Sequence, residues 1–259
     1  MPWKTLNVAV SDGVLQVEID RPEKRNALSR EVLSHLHEAF AFHARDPSLR
    51  LAVLTAVGDK SFAAGGDLKD LGTIRTLDGA LQLFRQASAA LDAVRRFPVP
   101  VVAALNGTAL GGGAELAVAC DFRIAAAHAG IGFVQGALNI STGFGGGTDL
   151  MRLLGFNRAL ALLATGRVLG AREAQAWGLV DQVADEAEPF HAFVARFIDP
   201  LRRQAPQVMR AFKAQALAER LGVPRAEREA AEASLFAQTW IHEDHWAAAD
   251  RLLAGQKKA

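Results

Sequence analysis

Two uninterrupted apolar runs constrain the fold of this chain most: L-A-V-L-T-A at 51–56 and V-P-V-V-A-A-L at 99–105. A strand with one wetted face alternates apolar and polar side chains, so runs of this kind belong inside a sheet covered on both faces. Helices supply such cover, and helical spacing flanks the runs. One helix fits roughly Asp78 to Arg96, and another spans about Ser29 to Arg45 with Val32, Leu33, Leu36, Ala39 and Phe40 on one face. Residues 5 to 20 alternate around Ser11-Asp12-Gly13, a hairpin signal. A-R-E-A-Q-A-W-G (171–178) reads as a short helix stopped by Gly178 and leading into L-V-D-Q-V. The expected class is α/β.

Past about Glu186 the strand signals stop. The sequence becomes Ala-rich, charged and helically spaced, with breaks near Pro200, Pro206 and Pro224. We therefore expect an α/β core over residues 1–190 and a helical region over 191–259, whose apolar faces suit contact with another subunit. The 259 residues, half of them hydrophobic, suffice for one large or two modest domains. Lys plus Arg (29) nearly balance Asp plus Glu (28), so no overall field favours nucleic acid or a membrane, although a local basic patch can still hold phosphates. Cys120, the single cysteine, makes no internal disulfide and in A-V-A-C-D reads as a buried small hydrophobe. M-P-W-K-T-L-N-V lacks a signal peptide's apolar core, and the low-charge stretch 97–114 carries Pro, Asn and Gly. A cytoplasmic protein is expected. The seven histidines are scattered and suggest no metal site; His242 and His245 of H-E-D-H fall in a helix-like tail, facing solvent or a subunit.

One stretch runs against the economy of such a core. G-T-A-L-G-G-G-A-E-L (107–116) places three glycines and a carboxylate where a strand gives way to a helix. Glycine weakens helices and strands, and a carboxylate in apolar surroundings loses its hydration. The first N–H groups of a helix have no internal partners and carry the positive end of its dipole, and glycine there lets a ligand reach them. The segment is either a tight steric turn or an oxyanion site. F-A-A-G-G-D-L (62–68) follows the first apolar strand with the same small residues, and two amide donors converging on one point make an oxyanion hole. A third cluster, G-F-G-G-G-T (143–148), comes after Gln135.

The ordered set R-P-E-K-R-N-A-L (21–28), S-F-A-A-G-G-D-L (61–68), N-G-T-A-L-G-G-G-A-E-L-A-V-A-C-D-F-R-I-A (106–125), G-F-G-G-G (143–147) and A-R-E-A-Q-A-W-G-L-V-D (171–181) resembles the crotonase superfamily, the enoyl-CoA hydratases and isomerases. The likeness runs from about residue 5 to 185. It implies a crotonase-like spiral of ββα units, a C-terminal helical trimerisation region giving a trimer or dimer of trimers, and an acyl-CoA thioester substrate with no separate cofactor. It also implies that the amides of Gly66 and Gly112 hold the thioester oxygen as it becomes an enolate. Residues matching the family's CoA-contacting stretches are Lys24, Arg25, Ala27 and Leu28, then Ala63, Ala64, Gly65, Asp67 and Leu68. Lys24 and Arg25 either meet CoA phosphates or are solvated surface charge; Lys257 and Lys258 are more simply a charged tail.

The resemblance departs at the carboxylates. Hydratases of the family use a glutamate at the position of Glu115 and another about twenty residues later, where this chain has Gln135. Glutamine keeps hydrogen-bonding capacity but exchanges no proton near neutral pH. Glu115 is then a lone general acid/base, or a carboxylate that caps its own helix. G-G-G-A-E-L-A-V-A-C-D-F-R, I-G-F-V-Q and T-G-F-G-G-G-T look more like the ethylmalonyl-CoA decarboxylase branch. That likeness implies loss of CO2 from a 2-carboxyacyl-CoA, with a hydratase or isomerase using Glu115 and Gln135, or a non-catalytic binding scaffold, as alternatives.

Overall fold

A computed structural model describes residues 3–256. The hairpin forms as its turn residues dictate. Strands β1 (Leu6–Ser11) and β2 (Val14–Ile19) pair antiparallel around Asp12 and Gly13, both at positive φ (52° and 72°), a conformation that Asp-Gly tolerates well. Helix α1 (Arg30–His43) starts where Ser29 accepts a hydrogen bond from the Val32 amide, and it buries Val32, Leu33, Leu36, Ala39 and Phe40. Strands β3 (Leu51–Ala56) and β4 (Ser61–Ala63) follow, then a one-turn helix α2 (Leu68–Leu71) and the long helix α3 (Leu77–Arg95). Next come β5 (Val101–Leu105), β6 (Thr108–Leu110), helix α4 (Gly112–Ala119), β7 (Phe122–Ala125) and β8 (Gly130–Gly132). A 3-10 turn over Gln135–Leu138 leads to helices α5 (Gly146–Leu154) and α6 (Phe156–Thr165). The chain continues through β9 (Val168–Gly170), α7 (Ala171–Trp177) and β10 (Gln182–Val183), and finishes in helices α8 (Phe190–Arg202), α9 (Pro206–Arg220), α10 (Arg225–Trp240) and α11 (Glu243–Gln256).

Two sheets result. The larger runs β1-β2-β3-β5-β7-β10, parallel beyond the first hairpin, and the smaller runs β4-β6-β8-β9. The apolar runs at 51–56 and 99–105 lie in the middle of the larger sheet, as their composition requires. Ala52, Leu54, Val101 and Ala103 face the main core with α1, α3 and α4, whereas Leu51, Val53, Val102 and Ala104 face a second core. Phe190, Phe193, Val194, Phe197 and Ile198 of α8 cover that second face. The boundary expected at 190/191 thus falls in the first turn of α8, and α8 packs into this chain's own core. A cavity of about 500 Å3 remains between α8 and β1–β3, lined by Glu18, Thr55, Asn106 and His191 among others; it lies across the sheet from the glycine loops. Cys120 is buried, and burial together with Asp121 pushes its thiol up to about 12. No helix among the described residues is long and apolar enough to cross a membrane.

Candidate active site

The smaller sheet brings the glycine loops together. Strands β4, β6 and β8 are parallel neighbours, with Ala63 beside Ala109 and Leu110 beside Gly132, so their C-terminal ends open on one edge. From those ends leave the segment with Gly65 and Gly66, the entry to α4 at Gly111 and Gly112, and the turn with Gln135. Gly111 holds φ 50° and ψ −117°, which turns the chain sharply from β6 into α4. A Cβ placed on Gly65 would stand 4.0 Å from the Gly112 nitrogen, and one on Gly111 would stand 3.9 Å from the Gly65 Cα. The two loops touch. Neither the Gly66 nor the Gly112 amide donates to a protein group among the described residues.

The first motif is zipped to this edge. The Ala64 amide donates to Arg25 O at 3.1 Å, Leu28 to Gly65 O at 2.8 Å, and Asp67 to Leu28 O at 3.0 Å. Arg25 and Asn26 are both left-handed, φ 51° and 55°, a conformation costly for a non-glycine residue. Asn26, 1% exposed, holds it: its Nδ2 donates to Val57 O and Ser61 O, and its Oδ1 accepts from the Arg21 amide. Ala27, Leu28 and Ala63 are buried, while Lys24 and Arg25 stand exposed at the rim. Asp67 accepts from the Lys69 and Asp70 amides, starting α2, and pairs with Arg21 at 2.9 Å. Burial alone would raise its carboxyl, but the Arg21 hydrogen bond and those two amides outweigh it and hold Asp67 below the usual carboxylate range. Asp67 is therefore occupied as a helix cap and ion-pair partner. Leu68 projects outward, 63% exposed.

Glu115, in the first turn of α4, is 1% exposed, and its carboxylate takes four N–H donors. Oε1 accepts from Gln135 Nε2 at 2.8 Å and the Gly143 amide at 3.2 Å; Oε2 accepts from the Phe144 amide at 2.9 Å and the Gly146 amide at 2.8 Å. Its backbone donors thus come from the start of α5 and the loop before it. The alternative that Glu115 caps its own helix is corrected: it fastens α4 to α5. Four donors fill the in-plane acceptor positions of a carboxylate. Because the carboxylate only accepts, Gln135 must turn its NH2 toward Glu115. Its Oε1 is then left buried without a partner, and its Cδ lies 3.9 Å from the Cβ position of Gly111, beside the two loops. The Phe144 ring lies against Gly112, where an added Cβ would stand 2.5 Å from its Cε2.

Asn26, Arg21 and Phe144 were not singled out by sequence reasoning. Asn26 stood in the R-N-A-L motif, but its clamp spans 31 and 35 residues, and the Arg21–Asp67 pair spans 46, with no local signal for either. His242 contacts Gln207 and Asp244, and His245 stacks near Trp240 at 4.7 Å; no group of metal-binding side chains occurs among the described residues. Lys257 and Lys258 lie outside the described residues.

Parallel strands ending at two touching glycine loops, with a buried carboxylate behind them, are set on a crotonase-like fold. The enoyl-CoA hydratase/isomerase family profile matches residues 9–251, and the chain belongs to that family. Among its relatives, a crotonyl-CoA hydratase of Syntrophomonas wolfei is 38% identical over 194 residues, 73% of this chain and 72% of that protein. A mitochondrial methylglutaconyl-CoA hydratase of Mus musculus is 34% identical over 229 residues, covering 88% and 73%. The solved enoyl-CoA hydratase of Bacillus anthracis superposes with a TM-score of 0.88 at 29% identity, covering 98% of this chain and 96% of that one.

Proposed function

We propose that the chain holds an acyl-CoA thioester with its carbonyl oxygen between the Gly66 and Gly112 amides, and that the reaction served is decarboxylation of a short-chain 2-carboxyacyl-CoA of the ethylmalonyl or methylmalonyl type. The observation that carries this reading is the occupancy of Glu115. Hydration asks for side chains that activate water and move a proton. Here the carboxylate is saturated by four N–H groups, and its neighbour Gln135 is an amide. What remains free is the amide pair, and decarboxylation asks first for that alone. The electrons of the breaking C–C bond pass into the thioester, CO2 leaves, and the charge gathers on the oxygen facing Gly66 and Gly112. Donors fixed in advance favour that charged state over the ground state. The α-carbon then takes one proton, which Glu115 picks up from solvent after releasing one N–H contact and passes on, returning to the carboxylate; the 3.2 Å contact from Gly143 is the longest.

A hydratase is the second reading, favoured by the unpartnered Gln135 Oε1, an acceptor able to orient water, and by the activities named for the relatives above. Lys24 and Arg25 at the rim suit the CoA phosphates, and no cofactor beyond CoA itself is needed. A panel comparing CO2 release from ethylmalonyl-CoA with water addition to crotonyl-CoA decides. Decarboxylation should dominate, and Gln135→Glu should raise hydration about tenfold or more. Hydration alone in the unaltered protein removes the decarboxylase reading, and an unchanged rate in the variant removes the role given to the missing carboxyl.

A further inference from the structure

Helix α9, in the C-terminal block, reaches the wall of the site. Its last residue, Arg220, donates from Nη2 to Val118 O at 2.6 Å and from Nη1 to Ala119 O at 2.9 Å, two of the carbonyls at the C-terminal end of α4. The same guanidinium binds Asp149 Oδ1 of α5, from Nη2 at 2.8 Å and Nε at 3.1 Å. Arg95, the last residue of α3, donates to the other oxygen of Asp149 at 2.7 and 3.0 Å. Arg95 and Asp149 are 8% and 7% exposed. At the other end of α4, Glu115 takes the Gly146 amide that starts α5, so both contacts reach the first turn of α5. Helix α4 is thus fastened at both of its ends.

We infer that Arg220 is a positioning residue: it fixes α4 along its axis, and with it the Gly112 amide and Glu115. Helix α4 is eight residues long and buried throughout, so it has little freedom to bend, and its two ends are about 10 Å apart. A shift at Ala119 therefore moves Gly112. Stability alone does not account for the cluster, since buried ion networks are often replaceable by apolar groups without loss. What a guanidinium adds is direction, because its planar fork fixes two carbonyls and a carboxylate together. Lys213 supplies the comparison. It lies on the same helix, 3% exposed, and its hydrogen bonds go to Asp121 at 2.6 Å, beyond the end of α4, with none to α4 or α5. Asp121 also stands 4.0 Å from Arg220 Nη1.

The inference rests on the oxyanion-hole reading above but not on which reaction the hole serves. The test uses acetoacetyl-CoA, whose enolate has its own ultraviolet band and should be favoured between the two amides. Arg220→Ala and Arg220→Lys should each lower the bound-enolate signal about tenfold at saturating ligand, with the Kd for CoA itself within about twofold. Lys213→Met should lose stability yet keep the signal. An enolate band in Arg220→Lys equal to that of the unaltered protein overturns the inference. So does an equal loss in Lys213→Met. Should the Arg220 variants fail to fold, Asp149→Asn decides, a full enolate band there again overturning it. Absence of any enolate band in the unaltered protein would instead remove the oxyanion-hole reading itself.

Discussion

Residue by residue, the site is built from what is missing as much as from what is present. A Cβ on Gly113 would stand 2.2 Å from the carbonyl oxygen of Ala63, backbone that cannot step aside, because β4 and β6 are hydrogen-bonded there. One on Gly112 would meet the Phe144 ring at 2.5 Å, a side chain that can swing. The two alanine variants should therefore behave differently. Gly113→Ala is expected to cost about 2–3 kcal/mol in denaturant unfolding, as overpacking against fixed atoms does. Gly112→Ala should fold with a smaller penalty and show its loss in turnover. Equal stability of the two variants would contradict this packing.

At the scale of elements, α8 decides whether the helical block belongs to this chain's core or to a neighbour's. Phe193 is 1% exposed against Val14, Val53 and Ile124 of the sheet's second core. Phe193→Ala should lower stability by about 3–4 kcal/mol, with an unfolding midpoint that does not depend on protein concentration. A concentration-dependent loss would assign α8 to an interface. Sequence made α1 legible, because Ser29 and a five-residue apolar face act locally. It made the middle strands legible too, because both faces of β3 and β5 are covered. It could not place α8, since an apolar stripe reads alike whether it covers a sheet or another subunit. The three-residue strands β4, β6 and β8 are too short for any periodicity, so the edge where Gly66, Gly112 and Gln135 meet emerged only with the fold. Gly66, Gly112 and Glu115 were legible as residues. The donors to Glu115 lie 20 to 31 positions away, and the third glycine cluster was visible without its purpose.

For the whole molecule, charge and apolar surface set how it responds to conditions. The carboxyl of Asp67 lies below its ordinary range, so the Arg21–Asp67 contribution is complete above the ordinary carboxylate pKa and is lost as pH falls through the lowered one. Arg21→Met should flatten the acid limb of the stability profile relative to the unaltered protein; parallel limbs would show the pair to be idle. Phe236, Trp240, Ile241, Trp246, Leu252 and Leu253 leave large apolar side chains exposed on α10 and α11 and just between them. We propose that they meet other copies, with light scattering giving three or six times the chain mass and a monomer mass removing the idea.

The hold on Glu115 also changes what a common experiment can mean. Replacing a glutamate by its carboxamide is ordinarily taken to erase acidity and leave shape alone. Here the new NH2 would confront either the Phe144 and Gly146 amides, two backbone donors that cannot turn, or Gln135 with Gly143, of which only the Gln135 carboxamide can flip to accept. At least one backbone N–H would then face another donor. An inert Glu115→Gln protein would then report a scaffold prised open at the junction of α4 and α5, and its silence would say nothing about who carries the proton.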